Sequence, residues 1–206
     1  MMGRWRCYLF HTIKNCYVRN WEVPFFWLIL FFIFIFIFFQ WKIYGEHHGD
    51  VAASYNNLGT DYSELGEHDQ AKKCYKRSLA IREEIYGEHH GDLAESNSNL
   101  GAVCLDLRQY DEAEEYYGKS LAINKKIYGE EHSSVATSYF SLGLTYRFLK
   151  QYPRSQDCYE KALDVYKNVH GESHPAWKGT YHNLRVVKRK QRRRRNRAWF
   201  KCCFKW

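Results

Sequence analysis

The residues of this 206-residue chain best suited to chemistry are its ten histidines, seven cysteines and 23 carboxylates. The densest grouping pairs histidine with aspartate. His47-His48-x-Asp50 returns as His89-His90-x-Asp92, and single histidines follow at His132 and His174. Zinc chemistry would need such ligands to converge on one point. These instead recur at a fixed interval of 42 residues, which a stacked array spreads along its length. They read as helix-start and linker residues, and no metal is expected. The cysteines, Cys7, Cys16, Cys74, Cys104, Cys158, Cys202 and Cys203, contain no Cys-x-x-Cys spacing. The middle three fit small buried hydrophobes in a reducing compartment. No nucleophile elbow, phosphate-cradling glycine loop or His-Glu-x-x-His motif occurs. The reading is no catalytic residue, no cofactor and no small-molecule substrate.

The interval itself is the strongest feature. Residues 43–84 and 85–126 are identical at 21 of 42 positions without a gap. A third copy spans 127–168, and a partial fourth begins at residue 169. Each copy divides into two helices. Val51, Tyr55, Leu58, Tyr62 and Leu65 recur at spacings of three and four, the mark of one buried face. After a break near Gly66, Ala71, Tyr75, Leu79 and the 81–85 stretch outline a second, longer helix. Gly59, Gly101 and Gly143 share one column inside the first helix. Glycine there costs about 1 kcal/mol of helix propensity, so close approach of the partner helix is expected. Ala71, Ala113 and Ser155 would supply the matching small surface.

Tyr55-x-x-Leu58-Gly59-x-x-Tyr62, Ala71-x-x-x-Tyr75 and the linker 45–52, with their equivalents in later copies, resemble the tetratricopeptide repeat in its longer, kinesin-light-chain-like form. The resemblance covers residues 43–187. It implies an all-α solenoid of three two-helix repeats plus a capping helix, and peptide binding along the concave face lined by the first helices. Asn57, Asn99 and Asn183 occupy one exposed column of that face, completed by Ser141. An amide both donates and accepts, so it can clamp a peptide backbone without choosing a side chain. Thr60, Asp61 and Glu64, with Asp106 in the second copy, would make the groove acidic. Phe140, Leu144 and Phe148 would make its third copy apolar. No heptad coiled coil is present, so linkage to a motor chain is not implied.

The ends differ in kind. Residues 1–20 are a basic segment, and 21–42 hold an apolar run with no charge from Val23 to Phe39. Taken from Trp21 to Trp41, at about 1.5 Å per residue, the run spans a bilayer core of about 30 Å. Trp21 and Trp41 bracket it, with Phe25, Trp27, Phe32 and Phe39 inside, as an interfacial belt around a lipid-facing helix requires. The expectation is a hydrophobic N-terminal helix making a single-pass membrane protein with cytosolic repeats; a cytoplasmic chain with this helix packed on the first repeat is the alternative.

The net charge of +8 conceals three parts: +4 over residues 1–42, −7 over 43–168 and +11 over 169–206. The last contains Lys188, Arg189, Lys190, Arg192, Arg193, Arg194, Arg195 and Arg197, followed by aromatic and cysteine residues through Trp206. Residues 188–206 read as a basic-aromatic tail for an anionic membrane surface or, as the rival, nucleic acid. Other proteins, through peptide motifs, are the expected main partners.

Overall fold

The computed structural model describes residues 49–87 and 90–203, with side chains through Asn196. They form seven helices: α1 (Gly49–Glu64), α2 (His68–Tyr86), α3 (Gly91–Asp106), α4 (Tyr110–Tyr128), α5 (Ser133–Phe148), α6 (Tyr152–His170) and α7 (Pro175–Cys203). Among the described residues there is no strand. Each helix packs on the next in the chain, so three hairpins and a last helix stack in order. The 16-residue first helices and 19-residue second helices form two layers. Polar bridges tie the second layer together. Lys72 Nζ on α2 donates to Glu112 at 2.8 Å, and Arg154 on α6 donates to Glu114 on α4 at 2.8 Å.

The turn inside each hairpin is a Schellman motif. The N–H groups of Glu67, Gln109 and Gln151 reach back to the carbonyls of Tyr62, Cys104 and Tyr146 at 2.8, 2.8 and 2.9 Å. The residue before each takes a left-handed conformation: Gly66 (φ 77°) in the first copy, Arg108 and Lys150 (both φ 60°) in the others. Only glycine adopts this without a Cβ penalty, so the later copies hold it against that cost with the same turn hydrogen bonds.

The glycine column is a close approach, and the approaching group is an aromatic ring. A Cβ at Gly59, Gly101 or Gly143 would stand 2.8 Å from ring carbons of Tyr75, Tyr117 or Tyr159. The expected small residues lie beside it: Ala71 and Ala113 are fully buried, and Ser155 Oγ donates to the Gly143 carbonyl at 2.6 Å.

Two expectations change. The apolar face expected on the first copy is not closed: Leu58 is 41% and Leu65 74% exposed. Leu100 and Leu184, in the Leu58 column, are buried because the second helix of the preceding copy covers them. The other change is at the basic stretch. It is helical, continuous with the capping helix, and the expected boundary at 187/188 falls inside α7. Residues 180–203 contain no proline or glycine to end the helix. Lys188 pairs with Glu160 at 2.9 Å, and Arg194 donates to the Lys150 carbonyl at 3.0 Å and lies over the Tyr152 ring. The apolar run with Trp21, Phe25, Trp27, Phe32, Phe39 and Trp41 lies outside the described residues, as does the side chain of Arg197. Among the described residues no helix is long and apolar enough to cross a membrane.

Candidate functional site

The histidines act as backbone caps. His90, His132 and His174 each precede a first helix, and Nδ1 of each accepts from the N–H two residues on, at 3.3, 3.2 and 3.2 Å. This satisfies one of the donors every helix start leaves open. The imidazoles of His90 and His132 also stack on Tyr86 and Tyr128, with centroids 4.1 and 4.3 Å apart. Their recurrence follows from the recurrence of helix starts. His47, His48 and His89 lie outside the described residues. Among the described residues no group of three His, Cys, Asp or Glu side chains gathers. Cys74, Cys104 and Cys158 are free thiols, and Cys104 and Cys158 are buried. Burial pushes the Cys158 thiol up to about 11 and also raises those of Cys104 and Cys74. All three stay protonated near neutrality and are poor nucleophiles.

Chemistry is therefore sought on the exposed face of the first-helix layer. The Asn57, Asn99, Ser141 and Asn183 column runs across α1, α3, α5 and α7, exposed at Asn57 and half-buried at the other three. Three of its members are held by neighbours. Asn99 Nδ2 donates to Asn56 Oδ1 at 3.1 Å. Ser141 meets the hydroxyl of Tyr117, which burial pushes up to about 12. Asn183 Oδ1 accepts from Arg147 at 2.7 Å. Such pairing fixes the amide orientations, leaving lone pairs and N–H groups on set lines.

Thr60 bonds the Tyr75 hydroxyl at 3.1 Å and sits at the foot of this face. Glu64 and Asp106 are exposed in one column, with Asp106 3.9 Å from His68. Asp61 belongs elsewhere. Its column continues as Val103, Thr145 and Val187, all at most 1% exposed, so Asp61, itself exposed, occupies the column that in later copies packs against the preceding repeat. Comparison of the copies carries that signal in the sequence.

Sequence reasoning missed Asn56, Glu95 and Arg82. Asn56 is 7% exposed and links Asn99 to Glu95. Arg82, 6% exposed, donates to the Asp92 carbonyl and Ser96 Oγ, each at 2.8 Å, and reaches Glu95 at 3.5 Å. It thereby holds the Glu95 carboxylate, whose side chain is 54% exposed, at the centre of the α3 face. The column of Glu64 and Asp106 continues as Phe148 and Lys190. Charge is graded along the layer: carboxylates on α1 and α3, apolar Leu144 and Phe148 beside Arg147 on α5, then Lys190 on α7. The amide column runs beside this gradient.

Stacked helical hairpins of this kind define the class of helical-repeat solenoids, which present extended surfaces. The sequence profile of the tetratricopeptide repeat family matches residues 40–84, 50–123 and 92–168, and the chain belongs to this family. Solved structures agree. BtubC (BKLC) from P. vanneervenii is 28% identical with a TM-score of 0.65, covering 69% of this chain and 57% of that one, so this chain spans little over half its length. A Podosopora anserina putative kinesin light chain with nearly identical TPR-like repeats matches at 22% identity and TM-score 0.64, over 77% of this chain and 75% of its own. The first TPR of Spaghetti (RPAP3), solved bound to the HSP90 peptide SRMEEVD, matches at 16% identity and TM-score 0.52, over 70% and 95% of the two chains. No curated protein matches this chain.

Proposed function

We propose that this chain is a non-catalytic adaptor that holds an extended peptide segment of another protein against the first-helix layer. The observation that carries the reading is the amide column beside a face graded from carboxylate to apolar to cationic. The amides bind the backbone of any sequence, while the gradient selects the side chains. A ligand with Lys or Arg toward α1 and α3, and an apolar residue toward Leu144 and Phe148, would complement it. Tetratricopeptide repeats commonly mediate protein–protein interaction, and the structure of Spaghetti with its peptide supports the same use here. An alanine pair at Asn57 and Asn99, titrated with a peptide selected on the unaltered chain, tests the assignment through lost affinity at unchanged helical content.

The apolar run at 21–41 would tether the adaptor to a membrane, with the repeats on the cytosolic side. The length and tryptophan flanks of the run support the tether, and the free cysteines of the repeats support the cytosolic side. Protease treatment of microsomes carrying a tagged chain is expected to protect the N-terminal tag and expose the repeats. Recovery of the whole chain in the soluble fraction would refute the tether.

A further inference from the structure

We propose a second interaction surface, the outward face of α7, which docks on an anionic phospholipid surface. The argument starts from the repeat register. In α5, the columns at Ala136, Tyr139, Gly143 and Tyr146 are buried beneath that copy's own second helix. The same columns on α7 are Lys178, Tyr181, Arg185 and Lys188. No described helix follows α7, and all four residues are exposed. The positions that elsewhere carry the hairpin interface have here become basic.

The helix continues past the usual length, and Arg189, Arg192 and Arg193 extend the exposed stripe on its next turns. The opposite side is anchored. Leu184 and Val187 are buried against Tyr159 and Leu163, and Arg194 bonds the Lys150 carbonyl. A rigid cationic rod is thus presented to solvent by a packed core. Residues 175–203 contain no Asp or Glu, and of the four register columns only Lys188 has an acidic partner among the described residues, Glu160.

Charge complementarity requires an anionic partner, and two features favour lipid over nucleic acid. Trp177 and Tyr181 stack at 5.1 Å where the stripe begins. Trp199, Phe200, Phe204 and Trp206, interleaved with Lys201 and Lys205, follow it in sequence. Aromatic residues bracketing a basic stretch suit the headgroup level of a bilayer, where their rings are half immersed while the cations meet phosphate.

The test uses the full chain and two kinds of vesicle, phosphatidylcholine alone and phosphatidylcholine containing phosphatidylserine. The apolar run at 21–41 would act on both alike, so the difference between them isolates the stripe. Binding to the serine-containing vesicles is expected to exceed binding to the others and to fall with salt. In the Arg189→Glu/Arg192→Glu/Arg193→Glu variant, with unchanged circular dichroism, that excess should drop by roughly a hundredfold, about fivefold per residue. A Lys178→Glu/Arg185→Glu variant provides an independent reduction. Equal binding of the unaltered chain to both vesicles would overturn the proposal, as would an excess that survives in both variants. Tighter binding of an oligouridine than of the serine-containing vesicles, lost in the same variants, would overturn it in favour of nucleic acid. Peptide affinity at the first-helix layer is read separately and does not depend on this outcome.

Discussion

Replacing Tyr159 by alanine is expected to lower the unfolding free energy by about 3–5 kcal/mol, the range for deleting a fully buried aromatic ring. Tyr159 is 0% exposed and is the largest fully buried side chain among the described residues. Its ring lies over Gly143, inclines against Phe140 at 5.8 Å between centroids, and joins Leu163, Leu184 and Val187. It therefore binds α6 both to its own hairpin partner and to α7. Removal opens a void that no single helix shift can close, because the two contacts face different neighbours. Chemical denaturation of the variant, followed by circular dichroism, checks the figure. A loss under about 1 kcal/mol would mean that the site collapses around the vacancy.

The second large effect runs through a residue with no side chain. Gly101→Ala is expected to destabilise by about 2 kcal/mol, although alanine is the better helix former by about 1 kcal/mol. The new methyl would stand 2.8 Å from two ring carbons of Tyr117 and 2.9 Å from a third. Tyr117 is 5% exposed and packed within the core, so its ring cannot withdraw without moving α4. The control is Gly118→Ala on α4, where a Cβ meets nothing within 4 Å. That change should be neutral or stabilising by up to about 1 kcal/mol. Opposite signs at two helical glycines would separate packing from propensity. A stabilised Gly101→Ala protein would contradict the close approach.

Much of this fold was legible because each copy repeats the evidence. The three glycines in one column demanded a neighbour at contact distance, and the tyrosine that provides it stands in the same repeat. The histidines were read as helix-start and linker residues from their spacing and the family resemblance, and the caps at His90, His132 and His174 agree with that reading. What stayed hidden depended on which neighbour lies across a surface. Asp61 looks like a groove residue until its column is followed to Val103 and Val187. Leu58 looks buried until the lack of a described preceding helix is considered. Arg82 and Asn56 carry no periodic signal, since copies two and three replace Arg82 with Asn124 and Tyr166. Their partners emerge only in three dimensions. The helical continuation of α7 was masked by composition, because the shift to a basic-aromatic run at residue 188 reads as a separate tail even where nothing breaks the helix.

Peptide recognition by the first-helix layer stands or falls on one titration. A peptide selected from a random display library on the full chain is labelled and titrated into the unaltered protein and into Asn57→Ala/Asn99→Ala. Each lost amide contact is worth about 0.5–1.5 kcal/mol, so together they should weaken binding about tenfold or more, with helical content unchanged. Equal affinity for both proteins would place the ligand elsewhere and contradict the assignment.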